Sequence, residues 1–90
     1  MDTQFRILTN ELYDQYTDKA KEYAELWGVD DAHVIEIITS IMLHRDGLRQ
    51  GGGFVEAVVN NNLHLAVGRA DNTVYKHLKV IVSAAQNCYI

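Results

Sequence analysis

Apolar residues recur at every third or fourth position through the first third of the sequence, and this spacing constrains the fold more than any other feature. The positions concerned are Phe5, Leu8, Leu12, Tyr16, Ala20, Tyr23 and Trp27. Side chains spaced in this way share one face of an α-helix. Proline, the strongest helix breaker, is absent from all 90 residues. The sequence therefore predicts an amphipathic helix from Thr3 to Trp27 in an all-α protein.

Glycines and capping residues divide the rest of the chain into further predicted helices. Gly28 is expected to end the first helix, and Asp30 or Asp31 to begin the second. The remaining predicted helices span Ala32 to about Leu43, Phe54 to Asn60, Leu63 to Ala70, and Val74 to about Asn87 after a cap at Asp71, Asn72 or Thr73. The predicted fold class is a compact all-α single domain of four to five helices over residues 1–90.

The composition favours self-association inside a cell. Hydrophobic residues make up 48% of the chain, whereas a domain of this size buries only about 60–65% of the surface that its unfolded chain exposes. We therefore expect a homo-oligomer, in which apolar surface closes against other copies. The single cysteine, Cys88, cannot form an internal disulfide, which fits a reducing cytoplasm, and we interpret it as a small core residue.

Charge and hydropathy exclude two classes of partner. No stretch approaches the roughly 18 apolar residues of a membrane span, and the opening MDTQFR lacks the pattern of a signal peptide. A net charge of −4 argues against generic nucleic-acid binding. Residues 1–43 contain nine acidic and three basic residues, whereas residues 44–90 contain three acidic and five basic residues. The second half is therefore the part expected to attract an anion.

The stretch RDGLRQGGGF, which begins at Arg45, is the candidate binding segment. Glycines before a helix let a phosphate or carboxylate approach the backbone, and arginine binds phosphate through two parallel hydrogen bonds. The candidate ligand-binding residues are Arg45, Arg49, Gly51, Gly52, Gly53, Asn61, Arg69, Lys76 and His77, with Asn60 and Asn62 as alternatives to Asn61. The other interpretation is that the glycines only connect two helices, since the spacing of a phosphate-binding P-loop is missing.

No residue pattern predicts catalysis, a metal or a cofactor. The histidines His33, His44, His64 and His77 stand on separate segments without metal-ligand spacing. The letters HRDGL at residues 44–48 lack the downstream asparagine of a kinase catalytic loop. We therefore expect a protein that is not an enzyme.

The first helix offers an alternative function. Its acidic stripe lies beside aromatic residues, which suits a surface that docks on another protein. The candidate contact residues are Asp14, Asp18, Glu22 and Trp27. A solvated helix face beside an aromatic core would produce the same pattern. A small structural or assembly protein is a third candidate function, after ligand binding and docking.

The block HRDGLRQGGGFVEAVVNNNLHLAVGRADNTVYKHL resembles a group of small accessory proteins of tailed bacteriophages. The resemblance covers roughly residues 44–87 and supplies no catalytic residues. It implies a protein that acts in the cytoplasm of the infected cell, either on host machinery or against host defence. Combined with Gly51, Gly52 and Gly53, which we call the glycine segment, the resemblance suggests the capture of a nucleotide-like messenger of host defence signalling.

Overall fold

Six α-helices make up the part of the chain that the structure, a computed structural model, describes, which is residues 9–87. They are α1 (Asn10–Leu26), α2 (Ala32–Arg45), α3 (Gly53–Val59), α4 (Leu63–Arg69), α5 (Asn72–Lys76) and α6 (Leu78–Asn87). Residues 9–87 contain no β-strand, and none of their helices is long and apolar enough to cross a membrane. The predicted all-α class is confirmed.

Helix α1 begins and ends at residues whose chemistry satisfies its terminal backbone groups. The Thr9 hydroxyl accepts a hydrogen bond of 3.0 Å from the Leu12 N–H. At the other end Gly28 adopts a φ of +72°, and the Val29 N–H donates to the Ala24 carbonyl over 2.9 Å. This left-handed turn is favoured by glycine, as the sequence predicts. The predicted first turns, residues 3–8, lie outside the described residues.

Helix α2 is the centre of the fold. The Asp31 carboxylate caps it by accepting hydrogen bonds from the backbone N–H groups of His33 and Val34. It packs against α1, α3, α5 and α6. Its six buried residues are Val34, Ile38, Thr39, Ile41, Met42 and Leu43. The apolar character that α2 shows on more than one face is therefore explained by its neighbours within the same chain.

A polar junction joins three helices at one edge of this core. The buried Tyr16 hydroxyl of α1 donates to the Asp46 carboxylate over 2.6 Å. The Arg45 Nε donates to the other oxygen of that carboxylate over 3.2 Å. Arg45 also donates through Nη1 to the Ala85 carbonyl of α6 over 3.4 Å. Asp46 and Arg45 thus fix the end of α2 against α1 and α6.

The last predicted helix is two helices, which corrects the expected count of four or five. The chain leaves helical geometry at His77, between α5 and α6. The His77 Nδ1 donates to the Thr73 carbonyl over 3.0 Å, because a carbonyl can only accept. The ring therefore competes for the carbonyl that the His77 backbone N–H also reaches, over 3.3 Å. Cys88, predicted to be a small core residue, falls outside the described residues.

Candidate functional site

The glycine segment is held in place by two side chains, and one of its glycines is sterically required. The Gly51 N–H donates to the His44 Nδ1 over 2.9 Å. A Cβ on Gly51 would overlap the Val55 side chain in the first turn of α3. Gly51 therefore closes the loop against α3, whereas Gly52 is exposed with open space on its side-chain side.

Arg69 lies directly against Gly53. A Cβ added to Gly53 would come within 2.6 Å of the Arg69 Nη1 and 2.9 Å of its Cδ. The space that a side chain would fill is thus occupied by the arginine, which extends from the end of α4 to the start of α3. This contact between two predicted site residues could not be located from their separation of 16 positions in the sequence.

A polar groove opens beside this contact. It has a volume of about 140 Å³ and is lined by Gly53, Glu56, Ala57, Asn60, Asn62, Leu65 and Arg69. The Asn62 Oδ1 accepts a hydrogen bond from the Leu65 N–H, so the amide nitrogen is the end of Asn62 that keeps donors for other groups. Arginine, two amides and one carboxylate thus surround a small space between α3 and α4.

The other two candidate arginines have their own contacts. Arg45 belongs to the junction with Asp46 and α6. The Arg49 Nη2 donates to the Ser40 hydroxyl over 3.0 Å, and its guanidinium lies 5.4 Å from the centre of the Tyr13 ring. The structure therefore brings Arg69 to the glycine segment and directs Arg45 and Arg49 to other neighbours.

The remaining candidate ligand-binding residues line two different grooves. Asn61 connects α3 to α4 with a φ of +60° and borders a small space of about 30 Å³ that adjoins Leu63 and Val82. Lys76 and His77 line a groove of about 150 Å³ with Asp31, Asn72 and Thr73. Neither groove includes the glycine segment.

The alternative docking residues of α1 are exposed. Asp14, Asp18 and Glu22 lie on the surface, and the Glu22 carboxylate is 4.0 Å from the Lys19 ammonium. Trp27 is 42% exposed, with the Lys79 Nζ 5.9 Å from its ring centre. These side chains are available for contact with another molecule.

Within residues 9–87 no group of three or more histidine, cysteine, aspartate or glutamate side chains is placed to hold a metal ion.

Sequence reasoning missed Glu56 as a member of the groove. A signal was present, because Gly53, Glu56, Ala57 and Asn60 recur at intervals of three or four and share one face of α3.

Comparisons with known protein families, with curated proteins and with solved structures give no match. The fold and the groove define a small all-α protein with an arginine-containing polar groove.

Proposed function

We propose that this protein is not an enzyme but a binding protein that sequesters an anionic, nucleotide-like small molecule in the groove between α3 and α4. The observation that carries the proposal is the position of Arg69 against Gly53, beside Asn60, Asn62 and Glu56. A guanidinium at this place offers paired N–H donors to a phosphate.

The mixture of groups in the groove favours a nucleotide over a simple anion. The amides of Asn60 and Asn62 provide donors and acceptors for the polar edges of a base or sugar. The Glu56 carboxylate can only accept, so it suits a ribose hydroxyl or an exocyclic amino group rather than a phosphate. A ligand that carries both a negative charge and hydrogen-bond donors uses all four side chains.

The volume of the groove indicates how much of such a ligand one chain can hold. Sites for small molecules commonly measure about 300–1,000 Å³, whereas this groove measures about 140 Å³. One phosphate or one ring fits, and the rest of a nucleotide extends beyond the groove. A second subunit that covers the projecting part would complete the site, which agrees with the homo-oligomer expected from the composition.

Sequestration requires binding without turnover, so a catalytic residue is unnecessary. The resemblance to phage accessory proteins supplies the biological setting that we propose. The protein would act in the cytoplasm of an infected cell and lower the free concentration of a messenger used in host defence. Arg49 and Lys76 would add long-range attraction for an anion rather than direct contacts in this groove.

The first test is native mass spectrometry of the protein purified gently from infected cells whose defence system is active. We expect a stoichiometric added mass that matches a nucleotide. Arg69→Gln should lose it, because a hydrogen bond to a charged group contributes about 1.5–3 kcal/mol, or roughly 10- to 150-fold in affinity. Gly53→Ala, which keeps the charge but displaces Arg69, should also weaken binding.

Two control variants make the result specific. Arg49→Gln removes the same charge from a residue that contacts Ser40 and Tyr13 instead, and it should retain the ligand. A triple variant, Asp14→Lys with Asp18→Lys and Glu22→Lys, should retain it as well. The contradicting outcome is that the triple variant abolishes the protein's effect on host defence in infected cells while Arg69→Gln leaves that effect unchanged. The ligand proposal is then wrong, and docking on a host protein through α1 replaces it.

A further inference from the structure

The glycine segment is attached to α2 by a side-chain hydrogen bond whose direction is fixed. The Gly51 N–H donates to the His44 Nδ1 over 2.9 Å. Because a backbone N–H can only donate, Nδ1 must offer a free lone pair, and the proton of the neutral ring lies on Nε2. Both residues are half-buried, so losing the bond leaves a partly shielded N–H without its partner.

A second proton on the imidazole is incompatible with this bond. Histidine is the side chain that changes charge between about pH 5 and pH 8, and both ring nitrogens of its charged form are donors. In the charged form the His44 Nδ1–H faces the Gly51 N–H, and two donors cannot form a hydrogen bond with each other. Protonation of His44 and attachment of Gly51 therefore exclude each other.

The charged groups nearest in sequence to His44 have other partners. Asp46 accepts hydrogen bonds from Tyr16 and Arg45. Arg49 donates to a hydroxyl of α2 one turn before His44. Within residues 9–87 no carboxylate forms an ion pair with His44. The structure therefore provides no ion pair that compensates the charged ring for the lost bond.

The charged side chains of the helices that pack against α2 are placed elsewhere. Helix α5 meets the first turn of α2, where Asp71 is 3.1 Å from His33, about three turns before His44. Glu56 of α3 lines the groove toward α4, and Lys79 of α6 approaches the last residues of α1. The acidic residues in the first half of α1 are exposed, namely Glu11 and Asp14. The hydrogen bond from Gly51 is thus the contact of His44 that a proton changes.

The attachment of Gly51 also sets the position of the residue that Arg69 contacts. Gly51 lies so close to Val55 that a Cβ does not fit between them. Gly53 follows two residues later, begins α3 and lies against the Arg69 side chain. A displacement of Gly51 therefore moves the start of α3 relative to Arg69.

We propose that His44 is the positioning residue of the Arg69 groove and makes this groove sensitive to pH. The neutral ring holds Gly51 and keeps Gly53 against Arg69. A proton on Nδ1 releases Gly51, and Gly53 shifts away from Arg69. Loss of this arrangement lowers the affinity for an anion, and that consequence alone rests on the function proposed above.

NMR spectroscopy of the isotopically labelled full chain tests the proposal without a ligand. A scalar coupling across the hydrogen bond, between the Gly51 amide nitrogen and the His44 Nδ1, should be present at about pH 8 and lost at about pH 5. The Gly53 amide and the Arg69 Nε–H should shift along the titration curve of the His44 ring. The amide of the buried Ile38 should not shift, which shows that the fold is intact.

His44→Asn is the decisive variant, because the amide Oδ1 accepts a hydrogen bond in place of Nδ1 but takes up no proton. It should abolish the pH response of Gly53 and Arg69. His64→Asn is the matched control, since it removes an exposed histidine from α4, and it should leave that response unchanged. A wild-type ring that stays neutral down to about pH 5, a coupling that survives on the charged ring, or a response that persists in His44→Asn would overturn the proposal.

Titration with sulfate separates this proposal from the proposed function, because the charge of sulfate is constant over this range of pH. Sulfate should shift the Arg69 Nε–H at about pH 8 and should bind at least about threefold more weakly at about pH 5. If sulfate leaves Arg69 unmoved while Gly51 still loses its coupling in acid, anion binding in the groove is wrong and the role of His44 stands.

Discussion

The two halves of this molecule are built on different principles. Helices α1 and α2 contain 17 and 14 residues, are capped by Thr9 and Asp31, and hold all of the largest fully buried side chains of residues 9–87 except Ile81. Helices α3 to α6 contain between 5 and 10 residues. Four of the six most exposed large apolar side chains belong to this second half, namely Leu63, Leu65, Val67 and Tyr75.

The two halves differ in the size of the side chains that they bury and in the groups that they leave exposed. Apart from Leu26 and Trp27 at the end of α1, the large apolar side chains of α1 and α2 are buried or half-buried, so this pair supplies the bulkiest part of the core. Helices α3 to α6 contribute eight buried apolar residues, as many as α1 and α2, but theirs are alanine and valine apart from Ile81, and this half also keeps large apolar and polar groups at its surface.

The strongest test of this comparison is to shorten one apolar side chain to alanine in each half. Ile38→Ala removes a fully buried side chain from α2 and should lower the free energy of unfolding by about 2–5 kcal/mol, since the lost contacts leave a cavity. Val67→Ala in α4 should change it by less than about 0.5 kcal/mol, because Val67 is already 40% exposed. Urea denaturation measures both values, and equal losses would break the comparison.

The junction at Asp46 gives a smaller effect that tests how α1 is joined to the end of α2. Tyr16→Phe removes the hydroxyl that donates to the Asp46 carboxylate over 2.6 Å. We expect a loss of about 1.5–3 kcal/mol, the usual contribution of a hydrogen bond to a charged group.

Tyr13→Phe serves as the control for that junction, because a phenylalanine keeps the ring beneath Arg49, and it should cost less than about 0.5 kcal/mol. If Tyr16→Phe proves equally mild in urea denaturation, the hydrogen bond to Asp46 does not stabilise the contact between α1 and the end of α2.

The sequence was sufficient for features that depend on neighbouring residues. Helical spacing located α1 and α2, and the chemistry of Gly28 and Asp31 located the turn between them. The break at His77 was not predictable, because it involves a ring that competes for a carbonyl one turn earlier. A continuous apolar stripe in the sequence cannot reveal that competition.

The candidate site was predictable in kind but not in arrangement. The sequence indicated that arginines and glycines of the second half could bind an anion. Which arginine reaches the glycines depends on how α4 packs on α3, and only Arg69 lies against Gly53. Arg45 instead reaches Ala85, a residue 40 positions further along the chain. Such distant pairings are set by the packing of helices and leave no local pattern.

The smallest expected effect sharpens the comparison through the shortest helix. Asp71 caps α5, and the hydrogen bond from the Val74 N–H, assisted by His33, holds the pKa of the Asp71 carboxyl below its ordinary value of 3.8. A carboxyl whose pKa is lower in the folded state stabilises the fold above its unfolded pKa, and this stabilisation is lost as the pH falls through the folded pKa.

Asp71→Asn keeps a capping side chain but removes the titrating charge. We therefore expect the wild-type urea midpoint to fall more steeply between about pH 5 and pH 2 than that of Asp71→Asn, with the two curves converging at the acid end. The difference should be small because the Asp71 carboxylate is largely exposed to solvent. Parallel curves over this range would show that the negative charge of Asp71 adds nothing to its cap, and that the neutral hydrogen bond to the Val74 N–H, together with packing against α2 and α6, is enough to hold α5.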